Sequence, residues 1–215
     1  MSAKSNAAPD RRRLLIAAAR DLFGTRSYDK VTTTEIANTA GVAYGLIAHH
    51  FGNKRGLYLA AMDDIRSEID ASQDEPVPGD TLEEQLHNAL RRHVAYIDEH
   101  RTGYIALMRG ALGADPDMRS RLDELRWGGA TRILQRIGVT GEPSPVLRAA
   151  MRGWVAMLDE LMLDRLDNAD TSIESVVQLA ADALISTLRT AHAMGPVVVS
   201  DPDALDMIVD PGGPP

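Results

Sequence analysis

The chain of 215 residues contains no cysteine, which excludes disulfides, thiolate catalysis and cysteine-ligated metal centres. Aromatic residues are scarce, because only 4% of the chain is Phe, Trp or Tyr, and its apolar content of 44% is therefore mainly aliphatic. No apolar run approaches the ~20 residues that a membrane-spanning helix requires. The opening residues, MSAKSNAAPDRRR, lack the apolar core of a signal peptide. We therefore expect a globular protein without membrane contact, compatible with a reducing cytoplasm.

Lysine is absent after residue 54, and basic residues are concentrated near the start of the chain. Residues 1–58 hold nine Lys or Arg and four Asp or Glu, whereas residues 59–215 hold fourteen Arg and twenty-seven acidic residues. The formal net charge of −8 therefore combines a basic first part with an acidic remainder. This asymmetry favours a basic module that meets a polyanion, carried on an acidic body. Chance variation of surface charge is the alternative reading.

Apolar residues recur at helical spacing along most of the chain, between segments rich in Pro, Gly and capping residues. The fold is therefore predicted to be all-α, with about nine helices and no internal repeat. Residues 1–9 are predicted to be a disordered lead, and residues 195–215, with five prolines, a flexible tail. Capping boxes are predicted at Thr32–Glu35, Thr81–Glu84 and Thr171–Glu174. The helices are expected at about 10–25, 32–41, 44–50, 54–72, 81–99, 103–112, 115–137, 144–167 and 171–193.

The stretch 32–54, TTTEIANTAGVAYGLIAHHFGNK, has the pattern of two short helices joined by a tight turn. Gly41 ends the first helix, and the small Ala37 allows the two helices to cross closely. Ile47 and Phe51 are predicted to face the core. The spacing is that of a helix-turn-helix, in which the second helix enters the major groove of DNA.

Residues 10–62 resemble the DNA-binding domain of TetR-family transcriptional regulators. The resemblance rests on a first helix ending in Leu22-Phe23 and on Thr-x-x-x-Ile-Ala-x-x-Ala-Gly-Val from Thr32 to Val42. The aromatic Phe51 and a Lys-x-x-Leu motif starting at Lys54 complete it.

This resemblance implies a three-helix helix-turn-helix DNA-binding domain over 10–54 and a larger helical ligand-binding and dimerisation domain over 55–194. Residues 55–73 would be the connector helix. The implied function is a homodimeric, ligand-responsive repressor that is released from a palindromic operator in double-stranded DNA when a small apolar effector binds. Dimerisation would use the last two long helices. No cofactor and no metal ion is implied.

Candidate DNA contacts fall into two groups. Residues near the start of the recognition helix are predicted to face base edges: Tyr44, Gly45, Leu46 and Ala48. Phosphate contacts are predicted from Thr32, Thr33, Thr34, His49, His50 and Lys54, with Thr34 also reaching a base by its family position and a structural role left open for His50. The recognition helix has no Arg or Lys, which removes the commonest reader of guanine. Leu46 and Ala48 would instead pack on thymine methyl groups.

Two residues depart from the family pattern. Ala43 stands where a serine or similar polar residue is common, and Ala48 stands where a tyrosine is common. Each departure puts one contact with the DNA backbone in doubt. The same fold acting through protein contacts, without operator binding, is therefore kept as an alternative.

Ligand-pocket candidates in the body combine adaptable apolar side chains with a few polar groups. They are His87, His93, Tyr96, Met108, Trp127, Met151 and Trp154. A plain core role is the alternative for the Met and Trp residues. His87 and His93 are six residues apart and do not share a helix face, so no metal site is predicted.

Two apolar faces in the last helices are predicted either to form a dimer bundle or to pack in the protomer's own core. They comprise Trp154, Leu158, Leu161, Leu166, Val176, Leu179, Ala183 and Leu188. An enzyme is the competing class of protein, but the sequence shows no Gly-rich phosphate loop and no Ser-His-Asp arrangement. The acidic residues Asp159, Glu160 and Asp164 fit a solvated helix face. We therefore predict that the chain is not an enzyme.

Overall fold

The computed structural model describes residues 10–73, 75–111, 116–168, 170–195, 197–200 and 204, without the side chains of 109–111 and 118. Within these ranges there are nine α-helices, one 3-10 helix and no strand, which confirms the all-α fold. The α-helices are α1 (Arg11–Thr25), α2 (Thr33–Ala40), α3 (Gly45–Phe51), α4 (Lys54–Ser72), α5 (Leu82–Glu99), α6 (Arg101–Ala111), α7 (Pro116–Arg136), α8 (Pro145–Asn168) and α9 (Ile173–Met194). The 3-10 helix spans Tyr28–Lys30.

Contacts between the described residues divide the chain into two compact units. The first unit comprises residues up to 70 together with 100–122, and it contains α1, α2, α3, most of α4, α6 and the start of α7. The second unit comprises residues 71–99 and 123 onward, with α5, the rest of α7, α8 and α9. The division into functional domains at 54/55 stays a prediction. None of the described helices is long and apolar enough to cross a membrane.

The first unit is held together by a close approach of α1 to α6. Gly24 lies in α1, and a Cβ atom at this position would come within 2.3 Å of the carbonyl oxygen of Thr102. Next to this crossing, the ring of Phe23 packs edge-on against Tyr58, with 4.8 Å between the ring centroids. The Tyr58 hydroxyl donates to the carbonyl oxygen of Ala106 at 3.3 Å. The bundle therefore supports the helix-turn-helix on a second layer contributed by α6.

The second unit has its core between α5, α8 and α9. Trp154 is 3% exposed, and its indole nitrogen donates to the carbonyl oxygen of Ala180 at 2.8 Å, so the ring is fastened across α8 and α9. Five residues of the two predicted apolar faces are buried inside the protomer: Trp154, Leu158, Leu166, Val176 and Leu188. Leu179 is 54% exposed, whereas Leu161 and Ala183 are half-buried. Most residues of these two faces therefore pack in the protomer's own core.

Most predicted helix starts are confirmed, with one correction. At the start of α5, the hydroxyl of Thr81 accepts the backbone N–H of Glu84 at 3.2 Å, as predicted. At α9 the predicted Thr171–Glu174 capping box is wrong. The N-cap is Ser172, whose hydroxyl accepts the N–H of Ser175 at 3.0 Å. The carboxylate of Glu174 is instead paired with Arg91 at 2.8 Å.

A short backbone pairing lies near the end of the described chain, and the flexibility expected of 195–215 stays a prediction. Val139 and Val199 form an isolated antiparallel bridge. The backbone N–H of Thr140 donates to Val198 at 3.2 Å, and that of Ser200 donates to Gly138 at 2.8 Å. The expected lead 1–9 and most of the expected tail, residues 201–203 and 205–215, lie outside the described residues.

Candidate nucleic-acid interface

The turn between α2 and α3 is built by backbone chemistry that the sequence specifies. Gly41 has a φ of 64°, in the left-handed region that favours glycine. Its N–H donates to the carbonyl oxygen of Asn38 at 3.1 Å, and the N–H of Val42 donates to that of Ala37 at 3.0 Å. This pair of bonds is a Schellman motif, which ends α2 and turns the chain into α3.

The start of α2 is fixed by the predicted capping box. The hydroxyl of Thr32 accepts the N–H of Glu35 at 3.2 Å. The carboxylate of Glu35 also accepts a hydrogen bond from Arg26 at 2.6 Å. Arg26, and to a smaller extent the backbone N–H of Thr32, hold the pKa of Glu35 below its usual value. Sequence analysis missed Arg26, because nothing local indicates which cation reaches this carboxylate.

The face of α3 opposite the core is open to solvent. Ile47 is 2% exposed and anchors the helix, as predicted, while Phe51 is half-buried. Tyr44 is 59% exposed, and its phenolic oxygen lies 3.5 Å from the donating hydroxyl of Thr33 on α2. Thr32, Thr34, Gly45, Ala48, His49 and His50 are also exposed, whereas Thr33 and Leu46 are half-buried. The contact between Thr33 and Tyr44 joins α2 and α3 on this solvent-exposed side, and we call the predicted DNA-contacting residues of α2 and α3, with the N-cap Thr32, the α2–α3 surface.

Lys54, the remaining predicted contact, already has partners in its own chain. Its Nζ donates to the carbonyl oxygen of Tyr28 at 2.5 Å and lies 4.1 Å from the centroid of the Tyr28 ring. Partial burial lowers the pKa of Lys54, and the charge of Asp29 opposes that shift. The side chain thus fastens the start of α4 to the 3-10 helix.

The arginine run of α1 adds a cation beside α3. The guanidinium of Arg12 lies 5.4 Å from the centroid of the Phe51 ring, in the geometry of a cation–π contact. Arg11, Arg12 and Arg13 are all exposed. The run itself was visible in the sequence, but its position next to the end of α3 depends on tertiary packing.

The ligand-pocket candidates belong to both units, and their role in a pocket stays a prediction. Met108 is buried in the first unit, whereas the other six lie in the second. Met151 and Trp154 are buried core residues. His87 sits 3.1 Å from the carbonyl oxygen of Glu83 on its own helix, and His93 and Tyr96 are half-buried. Among the described residues, no group of three or more His, Asp or Glu is placed to hold a metal ion.

Trp127 lines a cleft of about 190 Å³ between α7 and α8. Its lining includes the apolar Ala130 and Val155 and two arginines, Arg126 and Arg152. Both arginines are paired with carboxylates, Arg126 with Asp159 at 2.6 Å and Arg152 with Asp123 at 3.2 Å. A predicted pocket residue, Trp127, therefore lines a cavity of the second unit.

Basic residues of α5 and α7 act on one another electrostatically. Burial and the charge of Arg132 lower the pKa of His93 to about 4. Burial, followed by the charges of Arg92 and Arg132, lowers the pKa of Arg136. Sequence analysis missed this group, because its members come from two helices about forty residues apart in the chain.

Two family models match this chain. The model for bacterial regulatory proteins of the tetR family matches residues 15–61, and the model for a tetracyclin repressor-like C-terminal domain matches residues 82–193. Among curated relatives, the transcriptional regulator BetI of Rhizobium meliloti is 29% identical over 190 residues, 84% of this chain and 91% of that protein. The chain spans only about a third of the length of two others, BetI of Klebsiella pneumoniae (43% identity; 28% of this chain, 31% of that protein) and the repressor AcnR of Corynebacterium jeikeium (36%; 30% and 35%).

Solved structures share the fold. A tetR-family transcriptional regulator from Streptomyces coelicolor superposes with a TM-score of 0.74 at 27% identity, covering 94% of this chain and 88% of that one. The regulator FadR of Bacillus subtilis, in complex with stearoyl-CoA, superposes with a TM-score of 0.65 at 17% identity, covering 81% and 98%.

Proposed function

This chain belongs to the TetR family of bacterial transcriptional regulators, and from that premise we propose that it is a ligand-released repressor of a palindromic operator. The observation that carries the proposal is the α2–α3 surface. Ile47 anchors α3 in the core, so the opposite face, with Tyr44 at its start, is free to enter a major groove. A cytoplasmic location, where the DNA is, belongs to the same proposal.

The proposed residue roles are of two kinds: some side chains contact base edges and others contact phosphates. Tyr44 reads a base edge through its hydroxyl, oriented by the contact with Thr33. Leu46 and Ala48 contact thymine methyl groups, because α3 offers no Arg or Lys to a guanine. Lys54 contacts a phosphate with the protons left over from its bond to Tyr28, since an ammonium group has three donors. Arg12, beside Phe51, is a further phosphate contact.

The remaining predicted contacts are proposed to bind the DNA backbone. At the start of α2, the phosphates of one DNA strand are contacted by Thr32, Thr33 and Thr34. Thr34 reaches a base as well. At the end of α3, the phosphates of the other DNA strand are contacted by His49 and His50. Gly45 allows close approach of the backbone to the groove floor.

Two such surfaces, about one helical turn of DNA apart, would meet successive major grooves of a palindrome. We propose that two copies of the chain provide them, paired through α8 and α9. The exposed Leu179 on α9 is the side chain of the predicted apolar faces that the protomer itself leaves uncovered.

Release is proposed to follow from ligand binding in the second unit. The ligand is a small molecule with apolar character, and the cleft at Trp127 is its proposed entry. A ligand that binds one arrangement of the dimer better than another lowers DNA affinity by that difference in binding free energy. The helix α4 runs from Lys54, next to α3, to Ser72 and is the proposed connector.

Selection of bound duplexes from a random DNA pool tests the proposal. We expect one palindrome, bound by two or more protomers, with an affinity that falls steeply as salt is raised. Weak binding without a shared sequence would contradict operator recognition.

The alternative is the same fold acting through protein contacts. It is favoured by the alanines at 43 and 48 and by the absence of Arg and Lys from α3. Recovery of a single palindrome would exclude it.

A further inference from the structure

The recognition helix α3 has only two ionisable side chains, the adjacent histidines His49 and His50. Both are exposed, and their rings meet edge to face with 4.8 Å between the centroids. Among the described residues, the two rings contact each other and, in the case of His50, the ring of Phe51 at 6.0 Å. Their nitrogens have no hydrogen-bond partner in this part of the chain, so protonation of the pair breaks no bond within it.

The charge of α3 therefore depends on pH in a way that a recognition helix with arginine does not. Imidazole is the side chain whose charge ordinarily changes between pH 5 and 8. With both rings neutral, α3 contributes no charge to the α2–α3 surface. With both rings protonated, it contributes two positive charges in its last turn, where the helix dipole favours a cation.

In the protein without DNA, other positive charges oppose protonation of both rings. The guanidinium of Arg12, on α1, lies 5.4 Å from the centroid of the Phe51 ring, which is the ring next to His50. Each protonated imidazole also repels the other, because their centroids are 4.8 Å apart. The pair therefore needs a counter-charge before it is fully protonated.

The charged side chains of the other neighbouring helices are engaged elsewhere. The charged residue of α2 is Glu35, which accepts a hydrogen bond from Arg26 at 2.6 Å. At the start of α4, Lys54 is bonded to a backbone carbonyl of the 3-10 helix, and Arg55 is paired with a carboxylate of α7. The described contacts of the two histidines include no carboxylate. DNA phosphates would supply the counter-charge that the pair lacks.

We propose that operator binding by this chain is coupled to proton uptake at His49 and His50, so that affinity for DNA rises as the pH falls from about 8 to 6. A phosphate beside the rings favours their protonated form, in which both nitrogens of each ring are donors. By linkage, protonation favours the DNA-bound state by the same free energy. This inference rests on the proposed function, because it adds a regulatory input to the same DNA-binding surface.

Operator titrations of the full chain at pH 8 and pH 6, each over a series of salt concentrations, test the coupling. The duplex is the palindrome selected from the random pool, and selection is carried out at both pH values. We expect the unmodified protein to bind about tenfold more tightly at pH 6. The slope of log affinity against log salt should also be steeper at pH 6, by about one for each ring that becomes charged.

The variants His49→Gln and His50→Gln keep a polar side chain that cannot be protonated. The measured quantity is the ratio of the affinities at the two pH values, so a loss that does not depend on pH cancels. Each variant should lose part of this ratio, and the double variant most of it. His49→Arg, with a permanent charge, should bind more tightly than the unmodified protein at pH 8 and show a smaller ratio.

His100→Gln is the matched control, because His100 is an exposed histidine of the same unit that lies outside the α2–α3 surface. We expect it to keep the full affinity ratio and the full change in salt slope. Thermal unfolding of every variant at both pH values shows whether the fold is retained. His93 does not contribute in this range, because burial and Arg132 lower its pKa to about 4.

An unchanged affinity ratio in the double Gln variant would overturn the inference, and so would an equal loss in His100→Gln. If the palindrome is bound at pH 8 and its affinity does not rise at pH 6, proton coupling is wrong and the repressor proposal stands. If no palindrome is recovered at either pH, operator recognition fails and the inference fails with it.

Discussion

At the scale of single residues, Lys54 has two roles that a mutation removes together. Its ammonium group fastens α4 to the carbonyl oxygen of Tyr28, and it is also the proposed phosphate contact. Lys54→Ala is expected to weaken binding to all duplexes about equally and to flatten the slope of log affinity against log salt by about one. The variant should also unfold at a lower temperature than the unmodified protein. Affinity measured at four salt concentrations, with thermal unfolding alongside, checks both effects.

Tyr44→Ala is expected to behave differently, because its phenol is proposed to read a base rather than a phosphate. The preference for the selected palindrome over single-base variants should shift, with an unchanged salt slope. Tyr44→Phe distinguishes the contribution of the hydroxyl from that of the ring, because it keeps the ring and removes the contact with Thr33. Equal losses across all duplexes for Tyr44→Ala and Lys54→Ala would contradict this division of roles.

His93 gives the protein a pH-dependent stability. Burial and Arg132 lower its pKa to about 4, below the 6.5 of an ordinary histidine. Between these values the unfolded chain binds more protons, so the free energy of unfolding decreases as the pH falls from 6.5 to 4, by at most ~3 kcal/mol from this group. His93→Gln should remove that part of the pH dependence. Urea unfolding at pH 7 and pH 4.5 measures the free energy of unfolding of both proteins; the same difference between the two pH values in both would contradict the assignment.

At the scale of the elements, the α2–α3 turn depends on a single left-handed residue. Gly41→Ala is expected to destabilise the protein by about 1–2 kcal/mol, because φ of 64° is unfavourable for alanine. A Cβ atom there would meet no neighbour within 4 Å, so backbone conformation is the whole cause. Gly45→Ala is the matched control: its Cβ is equally free and its φ is not in the left-handed region, so no comparable loss of stability is expected. Chemical denaturation of both variants gives the comparison, and equal effects would refute it.

Local signals explain why most elements were predictable from the sequence. Thr32, Thr81 and Gly41 act on backbone groups within a few residues, so their roles follow from spacing alone. At α9 the local signal is ambiguous, because Thr171 and Ser172 are both N-cap residue types, and the structure uses Ser172 while Glu174 pairs with Arg91.

The candidate site was predictable to a smaller degree. The exposure of Tyr44 and burial of Ile47 follow from helical periodicity. The hydrogen bond from Lys54 to Tyr28 and the action of Arg132 on His93 do not follow from periodicity, because each joins residues that only tertiary packing brings together. The ligand-pocket candidates were chosen by residue type, and residue type does not separate a pocket wall from a core residue such as Met151.

At the scale of the whole molecule, operator affinity is proposed to require two protomers. Leu179→Glu places a charge on the exposed apolar position of α9 and is expected to shift the protein towards monomers. Operator affinity should then depend more steeply on protein concentration. Thr140→Glu is the control, a similar charge on the exposed turn after α7. Sedimentation and operator titration measure the two properties; a dimeric Leu179→Glu protein would place the interface elsewhere.

The close approach at Gly24 bears on how the sequence of this protein can change over generations. Any other residue at this position would place its Cβ atom 2.3 Å from a backbone oxygen of α6. A rotamer change cannot relieve this clash, because the oxygen belongs to the backbone. In a library that randomises codon 24 under selection for a folded repressor, we expect glycine codons to be nearly fixed. At codon 45 an added Cβ atom has no neighbour within 4 Å. We therefore expect many residue types at this codon under selection for folding alone. Position 24 is therefore constrained by helix packing rather than by ligand or operator binding.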